Sequence, residues 1–282
     1  MRNADFICSA SDGKSIYVHK WLPDAEAGAR GVVIVAHGMA EHGRRYAEFA
    51  QGLTASGWIV FAPDHRGHGK TASEGELGWL CEREGFRRVV DDLHEISSGA
   101  REEHRGLPVM LFGHCMGSLL SLAFAGLYGR DVDSVVLTGI IDEPPGVQIA
   151  AGRIFSALGC LVNGQMKSAT LLDSIAVKSR NREFEPARTA FEWLSRDREE
   201  VDAYAADPLC GFICSYGFFR DLFAGFDLVY GPSGVLRDIP RSLPFLVAAG
   251  DADPMGGAIG AVGRLAGRLR AAGACGRRCN NS

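Results

Sequence analysis

The sequence has none of the features that mark a membrane-spanning, secreted or nucleic-acid-binding protein. No apolar run reaches the roughly 18 residues needed to cross a bilayer. Residues 1–21 show no basic stretch followed by an apolar one, which is the pattern of a signal peptide. The 30 basic and 34 acidic residues nearly balance, whereas nucleic-acid binding favours a basic surface. We therefore expect a cytoplasmic protein with no transmembrane segment and no nucleic-acid partner.

The sequence also lacks the pattern of a disulfide framework or a zinc site, although it contains eight cysteines. Disulfide frameworks are typical of short secreted chains, so free thiols in a reducing compartment are expected. Three residues separate Cys210 from Cys214, whereas zinc knuckles usually have two between their cysteines. Cys275 and Cys279 have the same wide spacing. We predict neither a metal nor a cofactor, and the oligomeric state stays open.

Short apolar runs alternate with helix-like stretches along most of the chain. Residues 31–38, GVVIVAHG, are typical of a strand buried on both faces. The alternation predicts an α/β fold with a mostly parallel, doubly wound sheet. It breaks between Pro144 and Leu243, where aromatic residues and helix-like stretches, such as residues 188–208, accumulate. We predict an α/β core at 1–143 and 244–272, interrupted by a helical cap at 144–243.

A motif of five residues, Gly113-His114-Cys115-Met116-Gly117, lies between a predicted strand and a predicted helix. A nucleophile elbow requires that context. Its two glycines permit a tight turn that would bring residue 115 to the top of the sheet. The helix that follows would offer backbone N–H groups and the positive end of its dipole. Cys115 is therefore the candidate nucleophile, and a buried free cysteine in a glycine-rich turn is the alternative.

Two other segments could complete a hydrolytic site. The loop His37–His42, HGMAEH, follows the first buried strand, where α/β-hydrolases supply one N–H of the oxyanion hole. The second N–H comes from the residue after the nucleophile, so the backbones of Met39 and Met116 are the candidates. Asp253, in GDADP after a late strand, is the candidate triad acid. Asp251 is better explained as a loop cap.

Three segments of the sequence together carry a family pattern: HGMAEHGRRYAEFAQGLTASGWIVFAPDHRGHGKT, GHCMGS and AGDADPMGG. Their combination resembles the monoacylglycerol lipase and lysophospholipase group of α/β-hydrolases, also labelled serine aminopeptidase S33-like. The resemblance extends from about residue 8 to about residue 272. It implies the α/β-hydrolase fold and a carboxylic ester hydrolase that acts on a small acyl ester or lipid through an acyl-enzyme, without a cofactor.

The resemblance also implies roles for particular residues. It puts Cys115 at the nucleophile and Asp253 at the acid of a Ser–Asp–His triad, and Met39 and Met116 at the oxyanion hole. It makes residues 144–243 a lid over an acyl pocket. Each role is carried over from the position that matches the family's motif.

The sequence departs from this family pattern at two catalytic positions. Cys115 stands where the family has serine, and no histidine follows Asp253, since the last of the eight histidines is His114. Residues 273–282 form an atypical tail without a β-branched run, so we expect the last strand to be missing, by frameshift, truncation or deliberate alteration. An impaired hydrolase is the expected outcome.

Two alternative functions stay open. One is a non-catalytic pseudohydrolase that binds an acyl ligand, which the missing histidine favours. The other is a cysteine hydrolase resembling dienelactone hydrolases, which have cysteine at this elbow but also need a histidine, and which the HGMAEH loop fits poorly. Four histidines elsewhere could in principle replace the base, and each is expected to be structural: His42, His65, His68 and His114, the last pointing away from the Cys115 side chain.

Overall fold

The computed structural model describes residues 1–25, 28–176, 178–254 and 259–273. Residues 274–282, which make up nearly all of the predicted tail, lie outside the described residues. The described strands are β1 (Arg2–Asn3), β2 (Phe6–Ser9), β3 (Ser15–Leu22), β4 (Gly31–Ala36), β5 (Trp58–Pro63), β6 (Val109–His114), β7 (Ser134–Thr138) and β8 (Phe245–Ala248). The described α-helices are α1 (Ala47–Ala55), α2 (Gly85–Glu103), α3 (Met116–Tyr128), α4 (Gly146–Asn163), α5 (Thr170–Ala176), α6 (Arg198–Ala206), α7 (Tyr216–Tyr230) and α8 (Ile259–Ala271).

All eight described strands belong to one sheet, in the order β1-β3-β5-β4-β6-β7-β8, with β2 paired to β3. The pairs that β3 makes with β1, β2 and β5 are antiparallel. The pairs from β5 through β4, β6 and β7 to β8 are parallel. Parallel neighbours need crossover connections, and α1, α2 and α3 provide three of them. The predicted α/β-hydrolase architecture with a mostly parallel sheet is confirmed.

Strand β4 shows why its sequence is apolar at every position. Because successive side chains of a strand point to opposite faces, Val32 and Ile34 enter the larger core, which includes residues of α2 and α3. Val33 and Val35 enter a smaller core on the other face, where Ala50 of α1 packs. All six residues of β4 are buried, as expected for a strand with helices on both faces.

The segment between β7 and β8 contains α4 to α7 and no described strand that joins the sheet. We expected helical structure across residues 188–208, but the helix that forms there is shorter. The chain there forms a short 3₁₀ turn, Glu192–Leu194, and then α6. Asp197 accounts for the late helix start, because its side chain accepts a hydrogen bond from the Glu199 N–H at 3.0 Å and caps the helix.

Helix α4 bears on the expectation of no transmembrane segment. By length and composition alone this helix is long and apolar enough to cross a membrane, although a core helix of a soluble protein can meet the same criterion, and 22% of it is buried. It packs on α7 through small residues: Gly152 lies against Phe223, and Gly159 against Tyr216. Arg153 interrupts its apolar sequence and pairs with Asp227 of α7. Its large exposed apolar side chains are Val147, Ile154, Phe155, Leu158, Leu161 and Val162.

Strand β8 forms one edge of the described sheet. It pairs with β7 along Phe245–Ala248, and no strand after it occurs in the described residues. Leu246 is 40% exposed, which is unusual for a central position of a parallel strand covered on both faces. An unpaired edge of this kind can recruit another strand.

Candidate active site

The turn between β6 and α3 holds Cys115 in a strained conformation, with φ 53° and ψ −118°. A non-glycine residue with positive φ costs energy and is most often found where function requires it. Gly117 allows the turn, because a Cβ there would lie 1.8 Å from the carbonyl oxygen of Ala36 in β4. The Cys115 N–H donates to the Thr138 carbonyl at 3.0 Å. A strained residue between a strand and a helix is the backbone geometry that a nucleophile elbow requires, and we call this turn the elbow.

The loop after β4 comes close to this turn from the other side. The backbone N–H groups of Met39 and Met116 lie close enough to the Cys115 thiol to lower its pKa. These are the two residues that the sequence analysis selected for an oxyanion hole, and the fold brings them together. Two N–H groups that converge on one atom can stabilise negative charge that develops beside it.

Buried Glu41 holds the loop in shape. Its carboxylate accepts hydrogen bonds from the Gly38 N–H at 2.6 Å and from the Tyr46 hydroxyl at 3.0 Å, and it pairs with Arg45. Although burial raises the pKa of Glu41, neighbouring positive charge and these donors lower it below its ordinary value. The carboxylate is therefore ionised at neutral pH. It places a fixed negative charge close to Cys115.

A cavity of about 870 Å³ opens at the elbow, a volume typical of sites for small organic ligands. Its wall includes Gly38, Met39 and Cys115 on the sheet side and Asp253 after β8. Side chains from the segment between β7 and β8 complete the wall, among them Phe184, Phe191, Trp193, Leu194, Tyr204, Phe212 and Ile213. Asp251 also reaches the rim and forms a 2.8 Å ion pair with Arg196, both side chains being largely exposed.

Comparison with known proteins decides the family. The model of the serine aminopeptidase S33 family of hydrolases matches residues 27–270. This chain belongs to that family. A monoacylglycerol lipase of Mycolicibacterium smegmatis is 33% identical over 86% of this chain and 76% of its own length. The human monoglyceride lipase is 32% identical over 86% of this chain and 71% of its own length.

Solved structures of esterases and lipases agree with the assignment of this chain to the S33 hydrolase family. A thermostable carboxyl esterase from Bacillus coagulans, solved with glycerol, has a TM-score of 0.86 and 25% identity over 98% of this chain and 89% of the esterase. A lipase in an open form has a TM-score of 0.80 and 25% identity, with coverage of 98% and 88%. The chain is thus an α/β-hydrolase whose relatives are named lipases and esterases.

The thiol at the elbow of this hydrolase is held in its neutral form. Burial, the Glu41 carboxylate and Asp253 raise the pKa of Cys115 to about 12, while the N–H groups of Met116 and Met39 act in the opposite direction. Only the thiolate is a strong nucleophile. Cys115 is therefore well placed and poorly activated at neutral pH.

Three histidines of the hydrolase form a buried group behind the oxyanion loop, which we call the histidine cluster: His37, His65 and His68. The His37 ring lies 3.9 Å from the His65 ring and accepts the His65 backbone N–H at 2.9 Å. Burial lowers the pKa of each, that of His68 to about 4. They are neutral at pH 7, and none lines the cavity. The expectation that His65 and His68 are structural agrees with these contacts.

His114 differs from the histidine cluster because it does line the cavity, beside Cys115. Its Nδ1 lies 3.0 Å from the Thr138 hydroxyl oxygen, and its ring packs on Gly139. His42, the fourth candidate base, does not line the cavity, and its Nε2 lies 2.9 Å from Asp207 Oδ2. Sequence reasoning missed this His42–Asp207 contact, because 165 residues separate the two side chains.

The six cysteines in the described part of the chain are free thiols, as predicted. Cys275 and Cys279 lie outside the described residues.

Proposed function

We propose that this chain is an ester hydrolase of the monoacylglycerol lipase type whose reaction centre is Cys115, and that its activity is low. One observation carries the proposal: the strained residue Cys115 lines a cavity, with the backbone N–H groups of Met39 and Met116 close to its thiol. The relatives named monoacylglycerol lipase support the substrate class.

In the proposed reaction, the sulfur of Cys115 attacks the carbonyl carbon of a bound ester. A carbon–sulfur bond forms, and the carbonyl oxygen takes negative charge, which the N–H groups of Met39 and Met116 stabilise. The carbon–oxygen bond to the alcohol then breaks, and the alcohol leaves with the proton of the thiol. The thioester that remains is hydrolysed by water, which releases the fatty acid and restores the thiol.

Both steps need a proton carrier, and this need accounts for the proposed impairment. The thiol must lose its proton during the attack, yet its pKa is raised by burial to about 12. Water must also be deprotonated during hydrolysis of the thioester. Asp253 lines the cavity wall, but no histidine follows it in the sequence to couple it to residue 115. Loss of one triad member typically lowers kcat by several powers of ten and leaves residual catalysis from binding and the oxyanion hole.

The segment 144–243 serves as the lid in this proposal. Phe191, Trp193 and Leu194 give the cavity an apolar wall opposite the elbow. A wall of this kind suits an acyl chain, since apolar contact contributes about 0.8 kcal/mol for each buried methylene. We therefore assign the acyl chain to this side of the cavity and the ester carbonyl to the elbow.

The test uses p-nitrophenyl butyrate and a monoacylglycerol with the given chain, Cys115→Ala, Cys115→Ser and, as a matched control, Cys160→Ser in α4. Turnover is expected to be slow in the given chain, lost in Cys115→Ala and unchanged in Cys160→Ser. Cys115→Ser alone is not expected to reach the activity of a complete triad. Turnover that survives Cys115→Ala would refute the assignment of Cys115.

The same variants separate this proposal from the pseudohydrolase alternative, which the raised pKa of Cys115 favours. A pseudohydrolase would bind a fluorescent fatty acid analogue equally well in the given chain and in Cys115→Ala, with no turnover and no thioester in either. Mass spectrometry of the chain after incubation with the ester decides between them. A mass increase of one acyl group on the Cys115 peptide supports the hydrolase.

A further inference from the structure

A second group of reactive side chains lies outside the cavity, where the loop after β4 meets the segment after α6. His42, Asp207 and Cys210 each offer one donor atom, and these atoms all lie within 4.8 Å of one another. His42 and Cys210 are buried, and Asp207 is about one-third exposed. We propose that these three residues form a binding site for a divalent zinc-type cation, which links the oxyanion loop to the lid.

Asp207 and Cys210, the two ligands from the lid segment, lie in one turn of the backbone. Residues 207–210 read Asp-Pro-Leu-Cys, and the Cys210 N–H donates to the Asp207 carbonyl at 3.0 Å. The Leu209 N–H donates to Asp207 Oδ1 at 2.8 Å. That contact occupies one carboxylate oxygen and leaves Oδ2 directed at His42, with the thiol of Cys210 beside it.

The histidine is fixed from the other side of the site. His42 has an extended backbone, and the next residue, Gly43, donates its N–H to Asp64 Oδ1 at 2.7 Å. His42 Nε2 lies 2.9 Å from Asp207 Oδ2. Each ligand position is therefore held by the backbone before any cation binds.

The distances suit zinc after a small adjustment. Zinc–ligand bonds of about 2.0–2.3 Å in tetrahedral geometry place the donor atoms roughly 3.3–3.7 Å apart. The present separations run from 2.9 Å to at most 4.8 Å. Side-chain shifts of about 1 Å or less would bring all three into coordination, and the partly exposed Asp207 side leaves room for water as a fourth ligand.

The chemistry of the donors also selects this class of cation. A thiolate, an imidazole and a carboxylate together suit zinc better than magnesium or calcium, which prefer oxygen ligands. A bound zinc ion would stabilise the thiolate of Cys210 as its ligand. The positive charge of Arg45 lies close by, but Arg45 is paired with Glu41 and stacks over the Tyr204 ring.

The position of the site gives the cation a structural consequence. Ala40, next to Met39, has a strained φ of 53°, and its carbonyl accepts hydrogen bonds from the Gly211 N–H at 2.9 Å and the Tyr204 hydroxyl at 2.8 Å. A cation on His42 and Cys210 would add a stronger link across the same junction. It would hold the oxyanion loop and the lid segment together.

The experiment measures cation binding directly. A chelator first removes bound metal from the full chain. The chain is then titrated with Zn²⁺ in competition with a chromogenic chelator. In a second titration Co²⁺ is added while the absorption spectrum is recorded. One equivalent should bind, with a thiolate-to-cobalt charge-transfer band and a rise in Tm of roughly 5 °C at a hundredfold excess over Kd. Cys210→Ser should remove the band and weaken Zn²⁺ binding at least about tenfold.

Two controls exclude other thiols. Cys81→Ser removes a partly exposed thiol that is not among the three ligands, and the double variant Cys275→Ser/Cys279→Ser removes the two cysteines of the tail. Both should bind Zn²⁺ as the unmodified chain does. Asp207→Asn, checked for folding by circular dichroism, provides a second ligand variant if Cys210→Ser does not fold. Absence of one-equivalent binding, or binding lost in the tail variant and retained in Cys210→Ser, would overturn the proposal.

Discussion

The protonation state of Cys115 offers the sharpest test of the site, because it follows from burial and charge rather than from family membership. The pKa of about 12, against an ordinary value of 9.0, leaves roughly 3 thiols in 100,000 ionised at pH 7.5, compared with about 3 in 100 for an ordinary thiol. Since alkylation proceeds through the thiolate, Cys115 should react about a thousandfold more slowly at equal access.

The perturbation is a change of pH during alkylation. The chain is treated with iodoacetamide at intervals of one pH unit from 7 to 10, and the labelled peptides are quantified by mass spectrometry. Because every pH in this range lies below a pKa of about 12, labelling of Cys115 should accelerate about tenfold per pH unit without reaching a plateau. Cys8 and Cys160 serve as internal comparisons, because they are partly exposed; burial raises the pKa of both above the ordinary value, so their contrast with Cys115 should be smaller than that of an ordinary thiol.

A plateau in the labelling rate of Cys115 below pH 9 would refute this reasoning. So would labelling at pH 7 as fast as that of Cys8 and Cys160. Either result would mean that an unrecognised base or positive charge stabilises the thiolate, and the part of the proposed impairment that depends on a neutral thiol would then have no basis. The Cys115→Ser variant identifies the peptide signal, because it removes this site of alkylation and leaves the comparison cysteines in place.

Three further predictions concern stability. Burial lowers the pKa values of the histidine cluster, so below pH 6.5 the unfolded chain binds protons that the folded chain does not. The free energy of unfolding should therefore fall between pH 6.5 and pH 4, and the pKa of about 4 for His68 alone accounts for about 3 kcal/mol of this loss. Unchanged urea midpoints at pH 7 and pH 5 would contradict this prediction. Gly117→Ala should lower the free energy of unfolding by more than about 3 kcal/mol, because its Cβ would lie 1.8 Å from a backbone carbonyl oxygen. The control Gly263→Ala has nothing within 4 Å of its Cβ and should raise the Tm slightly. Equal melting temperatures of the two variants would contradict the close packing at the elbow. Leu161→Ser should change the free energy of urea unfolding by less than about 0.5 kcal/mol, because this side chain is 82% exposed, and a loss above about 2 kcal/mol would show that it is buried.

Local pattern was enough to predict most of the core. The β2–β3 hairpin turns at Asp12-Gly13, a pair of residues typical of tight turns: Gly13 has φ 85° and the Asp12 side chain accepts the Lys14 N–H at 3.2 Å. The parallel strands follow from continuous apolar runs, because a strand covered on both faces cannot have a polar side. The elbow could also be predicted from local pattern, because the turn depends on glycines within five consecutive residues.

The extent of the helices between β7 and β8 was harder to predict. Residues 188–208 have helical composition, but Asp197 caps a shorter helix. Helix α4 has an apolar sequence that Arg153 interrupts. Which of its residues are exposed depends on α7, which covers one side of the helix at Gly152 and Gly159.

The sequence by itself determined the alternation of strands and helices in the α/β core, the glycines that permit the turn at Cys115 and the lack of a histidine within residues 254–282, because each depends on neighbouring residues or on composition alone. Only the tertiary structure decided that the N–H groups of Met39 and Met116 come close to the Cys115 thiol, that Glu41 lies close enough to help keep the thiol neutral, and that His42 lies near Asp207 and Cys210. These outcomes depend on burial and on contacts between distant parts of the chain. Hydrophobic periodicity specifies which face of an element is buried, but it does not specify which side chains from other elements pack against that face.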